Sequence, residues 1–174
     1  MSASETEIAS YTTIKEFTDQ KIEIRKYDTL ILVETSMQGE GRNGAFGRLF
    51  KYISGANEKQ SEIPMTAPVF MDDKGKTESV MSFVLPAGYT MQTAPVPTNK
   101  AVNLRELKDY HLAAIRFSGT LSDQNTAKHK SKLLQWLDDN EYKITGDIKV
   151  AGYNAPFTLP WLRRNEVLIP VELK

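Results

Sequence analysis

The residues best suited to chemistry stand near the C-terminal end of the chain. Arg163-Arg164-Asn165-Glu166 sets two guanidiniums beside one carboxylate at the start of a β-rich run. Strand alternation puts Glu166 on one face with Leu168, and Val167 on the other with Ile169. A Glu166 that faces inward needs a cationic partner, and an arginine would serve. Three readings are open. The group is a structural ion pair at a strand end, or a clamp whose arginines hold a propionate or phosphate, or a site with Glu166 as general base.

Two further segments bear on a ligand. The loop Asn154 to Leu162 reads Asn-Ala-Pro-Phe-Thr-Leu-Pro-Trp-Leu. Loops are ordinarily polar, yet this one carries Phe157, Leu159, Trp161 and Leu162. Either it packs onto the body as a flap or it rims an apolar ligand site. Its prolines lower the entropy cost of both arrangements. Earlier in the chain, Phe46, Leu49, Phe50 and Ile53 recur at i, i+3, i+4 and i+7, one face of a helix. Such a stripe ordinarily packs in the core. The alternative is that part of it lines a pocket, with Lys51 beside it to meet an anionic group. Arg48, Lys51 and Tyr52 fall off the stripe.

Composition removes several other chemistries. The chain has no cysteine, which excludes disulfides, thiolate metal sites and cysteine nucleophiles. It has two histidines, His111 at a strand start and His129 on an expected exposed helix face, so no multi-histidine metal site is expected. Gly-x-Ser-x-Gly, Walker and dinucleotide-binding glycine patterns are absent. Twenty-two basic residues balance twenty-two acidic ones. Nucleic-acid binders usually carry a basic excess, so no nucleic-acid partner is expected. No apolar run approaches the roughly 18 residues of a membrane span. Met1 to Ser10 is polar and acidic, which points to a cytoplasmic protein.

The elements that must position these groups come in two similar series. Residues 1–20 read as a loose tail (1–10) and lead-in, and 21–174 as a single domain with pseudo-repeats at about 21–86 and 101–174. Lys21 to Val33 reads as one or two strands bent near Asp28. Gly39, Gly41 and Gly44 mark a turn, and a helix follows, stopped by Gly55. Pro64 and Pro68 make Ile63–Met71 irregular. Asp73-Lys74-Gly75 reads as a hairpin turn, and Ser79–Leu85 as a strand. Pro86–Lys100 connects the halves. Val102–Leu107 and His111–Phe117 read as strands, the latter with Ala113, Ile115 and Phe117 on one face. Ser122 or Asp123 caps a second helix whose apolar face is Leu133, Leu134 and Leu137, with Trp136 at its margin. Glu141–Val150 and Val167–Leu173 close the second series. Both halves follow the order strand, glycine, helix, Ala-Pro, strand, with Ala67-Pro68 matching Ala155-Pro156. The fold class is α+β: two helices packed on twisted, barrel-like antiparallel sheet.

The motifs carry a family resemblance. Lys51-Tyr52-Ile53-Ser54-Gly55-Ala56-Asn57 with Ile63-Pro64-Met65-Thr66-Ala67-Pro68-Val69 resembles the first signature of the SOUL haem-binding proteins. Gly152-Tyr153-Asn154-Ala155-Pro156 with Arg163-Arg164-Asn165-Glu166-Val167 resembles the second. The similarity runs from about Ile22 to the C-terminus. It implies a distorted antiparallel β-barrel from two strand–helix–strand repeats, related in shape to GyrI-like effector-binding domains. It also implies a carrier or buffer of haem or another tetrapyrrole, rather than an enzyme, with no catalytic residue. On matching positions the family pocket falls on Phe46, Phe50 and Lys51, beside the loop before the Arg-Arg-Asn-Glu motif. The candidate binding set is therefore Phe46, Leu49, Phe50, Lys51, Phe157, Leu159, Trp161 and Arg163. A site is expected where the helix of the first half meets the loop of the second.

This chain departs from the family twice. It has no basic residue near Thr158–Leu159 and no histidine before His111, so the axial ligand is unassigned. The alternatives are a GyrI-like small-molecule binder or hydrolase using Glu166, and a protein-interaction module using the 154–162 loop.

Overall fold

The computed structural model describes residues 5–73 and 78–174. The chain forms two compact units. One comprises the chain up to Ala9 together with Thr29–Lys108; the other comprises Ser10–Asp28 together with Asp109–Lys174. Two long strands, β3 (Ile22–Ser36) and β7 (Val102–Phe117), run from one unit into the other.

In the first unit, the second half of β3 pairs antiparallel with β6 (Val80–Val84), and β6 pairs antiparallel with β5 (Val69–Asp72). Val33 and Val69 both lie opposite Phe83. Leu30 to Val33, Phe70, Met81 and Phe83 are all buried. Helix α1 (Gly41–Ile53) packs against β6. Gly41 opens it at φ 66°, a left-handed value that glycine adopts without strain. Arg48 ties the helix to β3, donating through Nε to Thr35 Oγ1 at 3.0 Å.

The core face of α1 differs from the expected stripe. Ala45, Leu49, Tyr52 and Ile53 are buried, while Phe46 and Phe50 are exposed. Tyr52, expected off the face, packs inward because its hydroxyl reaches the Pro95 carbonyl at 2.7 Å. That satisfies the one polar atom that would otherwise keep a tyrosine at the surface.

In the second unit, β2 (Thr12–Phe17) pairs antiparallel with the first residues of β3, with a register shift between Thr13 and Lys15. β9 (Asn165–Pro170) lies between β7 and β8 (Lys149–Gly152), antiparallel to both. Helix α2 (Asp123–Asp139) packs on β9. Its first turn is capped by Ser122, whose hydroxyl accepts the Asn125 N–H at 3.2 Å. Leu133, Trp136 and Leu137 join Ile22, Ile24, Ala113, Ile115, Phe117, Val167 and Ile169 in one core. Each leucine so buried contributes roughly 1.5–3 kcal/mol. Trp136 lies inside this core, not at its margin. It donates from Nε1 to Gln20 Oε1 at 2.9 Å, and its ring packs on Phe17.

The expected α+β antiparallel class holds: β3, α1, β5 and β6 come in that order along the chain, then β7, α2, β8 and β9. Several local expectations do not. The presumed tail contains β1 (Glu7–Ile8), which pairs in parallel with β4 (Thr66–Ala67). Backbone pairing holds it, including Ala9 N–H on the Ala67 carbonyl at 2.8 Å. The two strands expected at 102–107 and 111–117 are one, while β3 is a single strand, one of the two readings left open for Lys21–Val33. The strand expected over 141–150 starts only at Lys149; Glu141 sits at φ 57°, outside strand geometry. Lys74 and Gly75 of the expected hairpin turn lie outside the described residues.

Candidate functional site

Glu166 is the second residue of β9, opposite Arg116 on β7 and Ala151 on β8. Glu166 is 0% exposed. Arg25 of β3, 1% exposed, supplies its counter-ion. The guanidinium grips the carboxylate with two parallel bonds, Nη1 to Oε1 at 2.9 Å and Nη2 to Oε2 at 2.6 Å. This planar fork is the geometry in which an arginine matches a carboxylate best.

A second layer surrounds the pair. Arg25 Nη2 also donates to Glu23 Oε2, and Nη1 to the Tyr153 hydroxyl at 3.4 Å. Arg164 Nη2 reaches Glu166 Oε2 at 3.4 Å and the Tyr11 hydroxyl at 3.0 Å. Both guanidiniums lie over aromatic faces: Arg25 on Tyr11 at 4.0 Å, Arg164 on Tyr153 at 3.9 Å. Burial alone pushes the Glu166 carboxyl upward. The hydrogen bonds and charge of Arg25, aided by Arg164, outweigh it and hold the group below its ordinary value of 4.5. Burial likewise disfavours the Arg25 charge, and Glu166 more than restores it. Burial drives the Tyr153 phenol far above its ordinary range, so it stays protonated.

This geometry decides among the readings of Glu166. Its oxygens are occupied by guanidinium donors, and a carboxylate held below its ordinary pKa is a weak base. The cluster is a buried structural ion pair. Of the two arginines that sequence placed beside Glu166, Arg164 takes part and Arg163 does not. Arg163 instead donates through Nε to the Thr158 carbonyl and through Nη2 to the Pro156 carbonyl, each at 2.7 Å. It shapes the loop that precedes it.

That loop turns its apolar side chains outward. Phe157 is 90% exposed and Trp161 69%, with Leu159 and Leu162 also exposed. It is no flap closed over the body. Pro160 to Leu162 forms a single 3-10 turn, which with the Arg163 bonds fixes the loop's course. In the first unit, Phe46 and Phe50 stack with ring centroids 6.1 Å apart and planes 14° from parallel, and Phe46 meets Phe83 edge-on at 5.2 Å. Lys51 beside them is exposed, and Leu49 is fully buried in the core. Leu49 therefore supports the helix and presents nothing to a ligand. Of the remaining candidates, Phe46, Phe50 and Lys51 belong to the first unit and Phe157, Leu159, Trp161 and Arg163 to the second.

Sequence reasoning missed Arg25. Its one signal is a break in alternation: a charged residue directly after Ile24, in a segment where Ile22, Ile24, Arg25 and Tyr27 are all buried. His129, expected on an open helix face, is half-buried. Its ring stacks on Phe117 at 4.2 Å, and Nδ1 lies 2.8 Å from the Asn125 carbonyl.

Fold and residues together define an antiparallel α+β protein with outward-facing aromatic side chains and a buried internal ion pair. Residues 6–170 match the SOUL heme-binding protein family, and the chain belongs to it. Heme-binding protein 1 of Xenopus tropicalis is 28% identical over 155 residues, covering 83% of this chain and 80% of that protein. Heme-binding protein 1 of Mus musculus is 27% identical over 135 residues, covering 74% and 70%. A hydrolase from Listeria innocua shares the fold at 12% identity, with a TM-score of 0.64 over 88% of this chain and 92% of that one. At that identity the likeness is one of fold alone. Among the described residues no helix is long and apolar enough to cross a membrane.

Proposed function

We propose that this protein binds a tetrapyrrole, haem or a metal-free porphyrin, as a carrier or buffer rather than a catalyst. The observation that carries the reading is the outward, near-parallel pair Phe46 and Phe50 on α1. A helix normally turns aromatics toward the core. Here the core face is filled by other residues, and two stacked rings are left for a flat apolar partner. Lys51, exposed beside them, suits a propionate.

The second unit supports the same chemistry with Phe157, Leu159 and Trp161 on a loop pinned by Arg163. Aromatic walls and a cationic rim are what a macrocycle with carboxylate arms requires. Membership of a haem-binding family and relatives named for haem binding support it further. Bound haem would supply a strong visible absorption and a redox-active iron. The chain's own contribution is apolar contact, charge pairing and partial exclusion of water.

Haemin titration followed at the Soret band tests this. Saturable binding is expected, weakened by about tenfold in Phe50→Ala and in Trp161→Ala, equivalent to about 1.4 kcal/mol each. Lys51→Ala weakens it less and makes it less salt-sensitive. Absence of saturation, or affinity unmoved by all three substitutions, overturns the reading.

A further inference from the structure

The second unit holds a half-open cavity of about 660 Å³ that shares Trp161 and Arg163 with the proposed tetrapyrrole set and is otherwise lined by residues outside it. Its volume lies in the range of small-molecule sites. Five cationic side chains line it, Lys21, Arg25, Arg116, Arg163 and Arg164, against three carboxylates, Glu16, Glu23 and Glu166.

The carboxylates are not equally available. Glu166 is saturated by Arg25 and Arg164. Glu23 takes Arg25 and is bonded by Thr13 at 3.2 Å. Only Glu16 has no side-chain partner among the described residues. On the cationic side, among the described residues, Lys21 and Arg116 have no side-chain partner and Arg163 bonds only to backbone carbonyls. The free charge of the cavity is therefore positive, although the chain as a whole is neutral. The remaining lining sets the apolar and aromatic Ile22, Phe117, Trp161 and Leu162 beside the polar Tyr11, Thr18 and Ser118.

We infer that this cavity is a binding site for a small aromatic anion, a carboxylate or sulfonate on a flat apolar ring. Trp161 and Leu162 offer the ring an exposed apolar contact. Arg116 and Lys21 offer the anion donors that no internal acid neutralises. The buried Arg25–Glu166 pair holds the floor and prevents an organic cation from using Glu166. Such a ligand gains from guanidinium pairing and from ring stacking together.

The test compares two fluorescent probes with the same fused-ring and aniline parts, 1-anilinonaphthalene-8-sulfonate and its uncharged counterpart N-phenyl-1-naphthylamine. Each is titrated into the full chain and into Arg116→Glu, with circular dichroism confirming the fold. Lys21→Glu serves as a second variant if the first fails to fold. The sulfonate is expected to bind saturably and to lose at least about tenfold in affinity on charge reversal, while the neutral probe is unmoved. Equal binding of both probes, or sulfonate binding indifferent to both reversals, overturns the inference. Haemin titration of the same variant separates the two sites. Unchanged haemin affinity supports a distinct cavity, and parallel loss of haemin and sulfonate binding overturns it. The probe result stands whether or not haemin binds at all.

Discussion

Replacing Glu166 with glutamine keeps the shape of the side chain and removes its charge. In the native protein that carboxylate accepts three guanidinium bonds, two from Arg25 and one from Arg164. The variant leaves Arg25 charged and 1% exposed, with Glu23 as its remaining counter-ion. Removing one partner of a buried pair typically costs about 3–5 kcal/mol. Because Glu23 stays, we place the cost at the lower end, about 3 kcal/mol. For a chain of this length that is roughly 6–12 °C in Tm. The pH dependence follows from the direction of the shift. Glu166 titrates below 4.5 in the folded protein and near 4.5 when unfolded. Its contribution is therefore complete above about pH 4.5 and is lost as pH falls through the lower folded value. Urea unfolding of both proteins should show the full gap at pH 7, closing as the wild type acquires its proton. A gap under about 0.5 kcal/mol at pH 7, or one that stays constant down to pH 3, refutes the structural role. The double variant Arg25→Met with Glu166→Leu, which removes both charges, should recover most of the loss.

Other consequences separate support from surface. Leu49→Ala should cost about 2–5 kcal/mol in urea unfolding, because Leu49 is fully buried. Phe50→Ala, 49% exposed, should change stability by less than about 0.5 kcal/mol while still weakening haemin. Ser122→Ala removes the α2 cap and should cost about 1 kcal/mol; Ser122→Asp should restore it.

What could be read from the chain depended on sequence distance. The strand–helix–strand series was legible because apolar periodicity is local, as in Ala113, Ile115 and Phe117 or Leu133 and Leu137. That an inward-facing Glu166 would need a cationic partner was legible from strand alternation. The identity of that partner was not, because Arg25 lies 141 positions away and only strand pairing brings it there. Local pattern failed where tertiary contacts took over. Tyr52 went inward because Pro95 offered an acceptor, and Glu7–Ile8 became a strand because Thr66–Ala67 presented a free edge. Phe46 and Phe50 carried the reverse lesson. Their spacing matched the core face, yet Ala45, Leu49, Tyr52 and Ile53 occupied it, which left the two rings for another use.

Parallel titrations with haemin and with protoporphyrin IX, the second followed by porphyrin fluorescence, test tetrapyrrole binding most directly. A site built from aromatic contact and propionate pairing should hold both saturably, with affinities within about tenfold of each other. Failure of both ligands to saturate contradicts tetrapyrrole binding. Saturation by haemin with no binding of protoporphyrin contradicts a site founded on apolar contact and charge.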